Sequence, residues 1–398
     1  MIIGSLLDTD FYILTMMKAV YHHYTDVPVK FEFCWRNWDK MNLNISIEQL
    51  VNKVNAELDD LCTLRFLPDE ITYLSKIPFL SPDFIEYLRL FQLNRGYIHA
   101  YEKNGQLAIE ITGPLLNVIM FEVPVLATVS QIYSNHNNEM GFNWLQAGRK
   151  KLNDKLNYLL THIHKDTGFS FADFGTRRRA NAHWHREIVD TILSKCPHLF
   201  AGTSNVLLAK EYNIKYIGTM AHLWFQVHQQ LNSRLVDSQK VALQTWADEY
   251  RGELGIALTD TLGFDMFLKD FDRYFALLFD GCRHDSGDPF DWLEKLIGHY
   301  IQLRIDPKTK IAVFSDGLTF EVATQLFQAA ARRIKTSFGI GTYLTNDCGF
   351  LAPQIVIKNT ETNGRPTAKI SDSPGKGMCK DPEFEAYLKK VVKERING

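Results

Sequence analysis

One histidine stands out for its setting. His222 lies in IKYIGTMAHLWF (214–225), just past a Gly-Thr step that ends an apolar run. An imidazole there can act as a general base or as a nucleophile toward phosphorus. A lone histidine is more often a core or capping residue, but here Thr219 and five other polar strand ends share its position. In RHDSGDP (283–289), Arg283, Asp285, Ser286 and Asp288 fall in one turn. Asp or Ser followed by Pro289 makes a good helix start. Capping does not account for an arginine beside two carboxylates, a set suited to anchoring an anion and a Mg²⁺ ion through Asp285. Asp316 in FSDG (314–317) could accept hydrogen bonds from sugar hydroxyls, although Asp-Gly turns are common. In SFGIGTY (337–343), Gly339 and Gly341 would let backbone N–H groups converge on phosphate, and Thr342 would add a hydroxyl.

These residues need elements to hold them. Six runs share one design, an apolar stretch that stops at Gly, Asp or Thr beside a charged or hydroxylated cluster. They are 169–179, 214–225, 254–260, 274–289, 310–317 and 335–343. Amphipathic segments of helix length, such as 289–305 and 318–334, separate several of them. Apolar strands alternating with helices predict a parallel sheet buried on both faces. Polar residues gathered at strand after strand predict a β/α barrel with its site at the C-terminal strand ends. The phosphate loop after the last run fits that plan.

The flanks read differently. Asn104-Gly105 separates YIHAYEK from QLAIEIT, and Asn363-Gly364 separates IVIKNTET from RPTAKIS. Both are tight-hairpin signals. The expected organisation is an N-terminal α+β domain over 1–130, a barrel over 131–345, and a segment 346–398 that joins the N-terminal domain. Composition is that of a soluble globular protein, with 45% apolar and 23% charged residues and a net charge of −2, which gives no support for nucleic-acid binding. The basic cluster TRRR (176–179) points to a small anionic ligand instead. Six scattered cysteines without a CxxC pair argue against a metal cluster or disulfide framework and predict a reducing, cytoplasmic location. No run is expected to cross a membrane. SDSPGKG (371–377) fails as a P-loop, because Ile370 stands where the first glycine belongs and Gly377 follows the lysine. His22-His23, His162-x-His164 and His183-x-His185 read as mostly surface or capping histidines.

Taken in order, DTDFYIL (8–14), DFGTRRR (173–179), GTSN (202–205), GTMAHLWFQ (218–226), RHDSGDP (283–289), FSDGL (314–318), SFGIGTYLT (337–345) and KISDSPGK (369–376) resemble the nicotinate phosphoribosyltransferase family over nearly the whole chain. The resemblance implies an irregular α/β barrel with a second domain built from both termini. It implies condensation of nicotinate with phosphoribosyl pyrophosphate to nicotinate mononucleotide and pyrophosphate, coupled to ATP hydrolysis and assisted by Mg²⁺, in NAD biosynthesis. By position, His222 is the histidine that ATP phosphorylates, and Thr219 lies beside nicotinate. Arg283 holds its carboxylate, and Phe174 and Tyr12 sandwich its ring, with Tyr12 supplied by a neighbouring subunit of a homodimer. Arg177 adds charge at the ring or phosphates, Thr342 contacts phosphoribosyl pyrophosphate, and Asp285 and Asp316 serve the ribose and Mg²⁺. Ser204 stands where the nicotinamide-using relative carries an aspartate, so it would remove a repulsion and donate to the nicotinate carboxylate. Many members have glutamate after the key histidine, where this chain has Leu223, so another carboxylate must orient His222.

Other readings compete with this one. They are the nicotinamide-using relative, a quinolinate phosphoribosyltransferase, a catalytically silent nucleotide-binding regulator and a barrel metallohydrolase. Quinolinate would need more basic residues around the ring, intact His222, Arg283, Asp285 and Asp316 argue against a silent regulator, and no strand end carries the His-x-His of a metallohydrolase.

Overall fold

A computed structural model describes residues 1–136, 143–164, 167–231, 234–373 and 375–397. Two sheets organise them. The first is antiparallel, with strands β1 (Pro28–Trp35), β2 (Ile98–Lys103), β3 (Gln106–Pro114), β10 (Ile355–Thr362) and β11 (Arg365–Pro366) in the order β11-β10-β1-β3-β2. Both expected hairpins form. Asn104 and Gly105 have φ of 52° and 75°, and Asn363 and Gly364 have 54° and 69°, the left-handed pair that a two-residue turn requires. Because β1 pairs with both β3 and β10, the two ends of the chain share one sheet.

The second sheet is wholly parallel, with β4 (Phe171–Asp173), β5 (Phe200–Thr203), β6 (Ile256–Leu258), β7 (Gly281–His284), β8 (Ile311–Phe314) and β9 (Lys335–Ile340) in the order β5-β4-β9-β8-β7-β6. Among the described residues the expected barrel does not close as a strand ladder: the six strands form one parallel sheet with β5 and β6 at its two edges. Residues 214–217 lie along β5 through Thr203 and Tyr216, and the next residues reach β6 by a side chain, Thr219 Oγ1 donating to Ile256 O at 2.8 Å. No strand ladder spans β5 and β6 among the described residues.

Three local expectations need correction. The run at 274–289 opens as a helix, Arg273–Leu278, capped by Asp272, and only Gly281–His284 is strand. β5 was not among the six runs, because its four residues FAGT carry too little apolar character to stand out. His185, read as surface or cap, is fully buried and meets Asp173 Oδ2 through Nε2 at 2.7 Å.

One stretch, Leu115–His136, is long and apolar enough to cross a membrane, contrary to expectation, but 89% of its apolar window is buried inside the protein. It is a core element, and it carries Glu122 to within 3.6 Å of Arg177. The last helix, Pro382–Asn397, packs Leu388 and Val392 on Leu262 and Met266 beside β6 rather than on the terminal sheet.

Candidate active site

The C-terminal ends of the parallel strands converge on a cavity of about 340 Å³. Phe174 follows β4, Asp285 follows β7, Asp316 follows β8, and Gly341 and Thr342 follow β9; all line it, together with Arg177, His222 and Arg283. The terminal sheet forms the opposite wall with Arg36, just past β1, and Lys358, on β10. With Arg178, Lys369 and Lys376, seven cationic side chains face the space against two carboxylates, Asp285 and Asp316. Such an excess suits a polyanion carrying several phosphates.

His222 begins the helix His222–His228 and is buried. Its Nε2 lies 2.8 Å from Asp260 Oδ1 and 3.5 Å from Asp285 Oδ2. Burial and the positive charge of Lys369 lower its pKa to about 4, outweighing the pull of Asp260. The ring is therefore neutral near pH 7. An ionised carboxylate only accepts hydrogen bonds, so Nε2 carries the proton and Nδ1 keeps its lone pair.

Asp260 is the carboxylate that Leu223 left to be found. Burial alone would raise its pKa, but His222 and Lys369 hold it well below the ordinary range. Its Oδ2 receives Lys369 Nζ at 2.8 Å and Ser286 Oγ at 2.6 Å. Asp285 accepts from Ser315 Oγ at 2.9 Å, and although burial would raise its pKa, the charge of Arg283 holds it below the ordinary value. The Lys358 ammonium has no hydrogen-bond or ion-pair partner among the described residues, and burial together with nearby Lys369 lowers its pKa to about 7.

His222, Asp260 and Asp285 place ligand atoms within 4.8 Å of one another. Asp260 has both oxygens committed, so this trio does not make a closed metal cage. Asp285 alone fits Mg²⁺, in the manner of ions held by one carboxylate and substrate phosphates. Asp316 faces the cavity but is paired with Lys376 Nζ.

Four expected residues lie outside the cavity wall. Ser204 Oγ donates to Asp10 Oδ1 at 2.7 Å, so its proton is committed there and is not free for a ligand carboxylate. Thr219 spends its hydroxyl on Ile256 O. Tyr12 is buried in its own chain, its hydroxyl donating to Glu122 Oε1 at 3.2 Å and its ring 5.9 Å from the Arg177 guanidinium. Gly339 sits within β9, and its lack of a side chain makes room for the Phe174 ring rather than for phosphate; a Cβ would lie 2.3 Å from that ring.

Asp260, Lys369, Lys358 and Arg36 were missed. Asp260 closes the run at 254–260 and was open to the same strand-end rule as Asp316. The other three come from the terminal segments, where no local pattern marks an inward-facing cation.

A parallel α/β sheet with a cationic cavity at its strand ends, and a neutral carboxylate-held histidine in that cavity, defines an enzyme acting on phosphorylated substrates. Residues 169–395 match the nicotinate phosphoribosyltransferase (NAPRTase) family, and residues 7–130 match the N-terminal domain of the same family. The chain is 48% identical over 393 residues to nicotinate phosphoribosyltransferase 1 of Pseudomonas aeruginosa, covering 98% of this chain and 96% of that protein. It is 47% identical to the nicotinate phosphoribosyltransferase of Acinetobacter baylyi, with coverage of 98% and 96%. The crystal structure of nicotinate phosphoribosyltransferase from Vibrio cholerae superposes with a TM-score of 0.92 at 40% identity, covering 99% of this chain and 94% of that one. The chain belongs to the nicotinate phosphoribosyltransferase family.

Proposed function

We propose that this protein joins nicotinate to phosphoribosyl pyrophosphate, giving nicotinate mononucleotide and pyrophosphate, with ATP hydrolysis coupled through a phosphohistidine at His222. The observation that carries the proposal is the setting of His222, its Nε2 2.8 Å from Asp260 Oδ1 in a cavity walled by cations. Nδ1 attacks the γ-phosphorus of ATP and the bond to ADP breaks. The new phosphoryl group adds about −1.5 to −2 charge by analogy with other phospho-residues. That charge changes the relative affinity for pyrophosphate-bearing ligands, which is how hydrolysis can bias transfer.

In the transfer step the pyridine nitrogen bonds to the ribosyl C1 as pyrophosphate departs. Asp285 and Asp316 lie where they can stabilise the cationic sugar, and Arg177, Arg178 and Thr342 where they can hold phosphates. Arg283 donates one N–H to Met220 O at 3.1 Å, and its remaining N–H groups suit the nicotinate carboxylate. Phe174 gives the ring a flat wall. Mg²⁺ beside Asp285 would supply charge neutralisation on the leaving pyrophosphate. A homodimer is the proposed assembly on the family resemblance; Tyr12 does not line its own chain's cavity, and the tyrosine that does is Tyr343. Six free cysteines accord with a cytoplasmic protein that serves NAD biosynthesis.

The test is labelling. With γ-labelled ATP, the wild type should acquire acid-labile label and His222→Asn should acquire none. The variant should retain slow, ATP-independent formation of mononucleotide from nicotinate, with nicotinamide far slower. Label on His222→Asn equal to the wild type would remove this histidine from the mechanism.

A further inference from the structure

SDSPGKG has no role as a phosphate loop, yet its first residues reach the heart of the site. Ser286 Oγ donates to Asp260 Oδ2 at 2.6 Å. The same oxygen accepts from Ser371 Oγ at 2.9 Å and from Asp372 N at 3.1 Å. A hydroxyl has one proton and two lone pairs. With both lone pairs occupied by donors, the single proton of Ser286 has only Asp260 to point at. Lys369 Nζ holds the same carboxylate oxygen, and its backbone is clamped in both directions to Met378, at 3.0 and 2.9 Å.

The rest of the segment is stitched to the turns beside it. Ile370 N donates to Thr261 O at 2.9 Å, and Gly287 N donates to Ser373 Oγ at 2.9 Å. Phe264 N donates to both Asp372 oxygens, at 3.0 and 3.1 Å. The packing leaves no slack, because a Cβ on Gly263 or Gly287 would come within 3.3 or 3.2 Å of Asp372. Ser371 itself takes a left-handed backbone, φ 63°, a conformation that costs a non-glycine residue energy and persists only where its surroundings impose it.

We infer that residues 369–373 are the positioning element of the active-site histidine: through Ser286 and Lys369 they fix the rotation of the Asp260 carboxylate, and through it the tautomer and ring orientation of His222. The segment leaves the terminal sheet directly after β11. The histidine is thereby tied to the part of the protein that also carries Lys358 and Arg36. None of Ser286, Ser371 and Asp372 lines the substrate cavity, so their effect passes through Asp260.

The inference rests on His222 as the reactive group, and the test separates the two. Full-length protein with ¹⁵N-labelled histidine is examined by NMR without ligands, and His222 phosphorylation by labelled ATP is timed in parallel. The wild type should show one His222 tautomer, protonated at Nε2. Ser286→Ala should show a mixture and phosphorylate about tenfold more slowly with an unchanged KM for ATP. Ser371→Ala should slow it about threefold, and the double variant should be no slower than Ser286→Ala, because both act along one path. Ser286→Thr, which keeps the hydroxyl, should restore the single tautomer. If Ser286→Ala does not fold, Ser371→Ala carries the same comparison. A single unchanged Nε2–H tautomer in the alanine variants, or losses that multiply in the double variant, would overturn the positioning role whether or not His222 is phosphorylated. A mixed tautomer with no label on any protein would uphold the positioning and sink only the phosphohistidine.

Discussion

Replacing Asp260 by asparagine keeps its shape and removes its charge, and the neighbouring donors dictate how the amide must sit. Lys369 Nζ, 2.8 Å from Oδ2, is a donor with no acceptor capacity. The amide carbonyl has to take that side, which turns the NH₂ toward His222. Nε2 must then accept, so the imidazole proton moves to Nδ1 and the nucleophilic lone pair is lost from the cavity side. A carboxylate-to-amide change that forces the wrong tautomer in a serine-protease triad costs about 10⁴ in rate. We expect phosphorylation of His222 in Asp260→Asn to slow by about 10³–10⁴, equivalent to about 4–5.5 kcal/mol. The Lys369 ammonium, almost fully buried, loses its counter-ion at the same time, and stability should fall by about 3–5 kcal/mol. Rapid-quench labelling with γ-labelled ATP measures the first quantity and urea denaturation the second. ATP-independent mononucleotide formation should survive within about tenfold, because the phosphate and ring contacts are untouched. A folded Asp260→Asn protein that takes up label at the wild-type rate would refute the tautomer argument.

The pH dependence has a defined direction. The folded pKa of His222, about 4, lies below the ordinary 6.5, so its neutral form is favoured by folding. Its contribution to stability is fully present above 6.5 and is lost as pH falls toward 4, and phosphorylation should hold its rate down to about pH 5; an acid limb centred near 6.5 would contradict this. Lys358 titrates near 7 in the ligand-free protein, so the KM for phosphoribosyl pyrophosphate should rise as pH passes from 6 to 8, and Lys358→Met should flatten that rise. Gly339→Ala would place a Cβ 2.3 Å from the Phe174 ring, and displacing that ring should cost about 1–3 kcal/mol, seen as a raised KM for nicotinate with that for phosphoribosyl pyrophosphate unchanged.

Much of the catalytic half was legible because its signals are local. A strand end is marked by where an apolar run stops, and Asp285, Asp316, Gly341 and Thr342 were found that way and do line one cavity. His222 was singled out by the same rule, although the run before it makes only an isolated bridge at Tyr216 and is not a strand. The hairpins at Asn104-Gly105 and Asn363-Gly364 were also legible, since a positive φ at two successive residues restricts which residues can stand there. The rule failed where local chemistry was ambiguous. YFALLF is apolar enough for a strand, but the Asp272 side chain caps it as a helix. FAGT is a strand only because its neighbours in the sheet supply its hydrogen bonds.

The sequence by itself determined the order of the elements, the strand-end clusters and the unusual setting of His222, all properties of residues close together in the chain. Tertiary structure alone decided what that histidine touches. Asp260 is 38 residues away and Lys369 stands beyond a further hundred, and no periodicity encodes their meeting. It also decided against local inference at Ser204 and Gly339, whose hydroxyl and missing side chain serve Asp10 and Phe174. The physical reason is the same in each case. A side chain's chemistry is fixed by its type, but its partner, charge state and exposure depend on which distant segments fold against it.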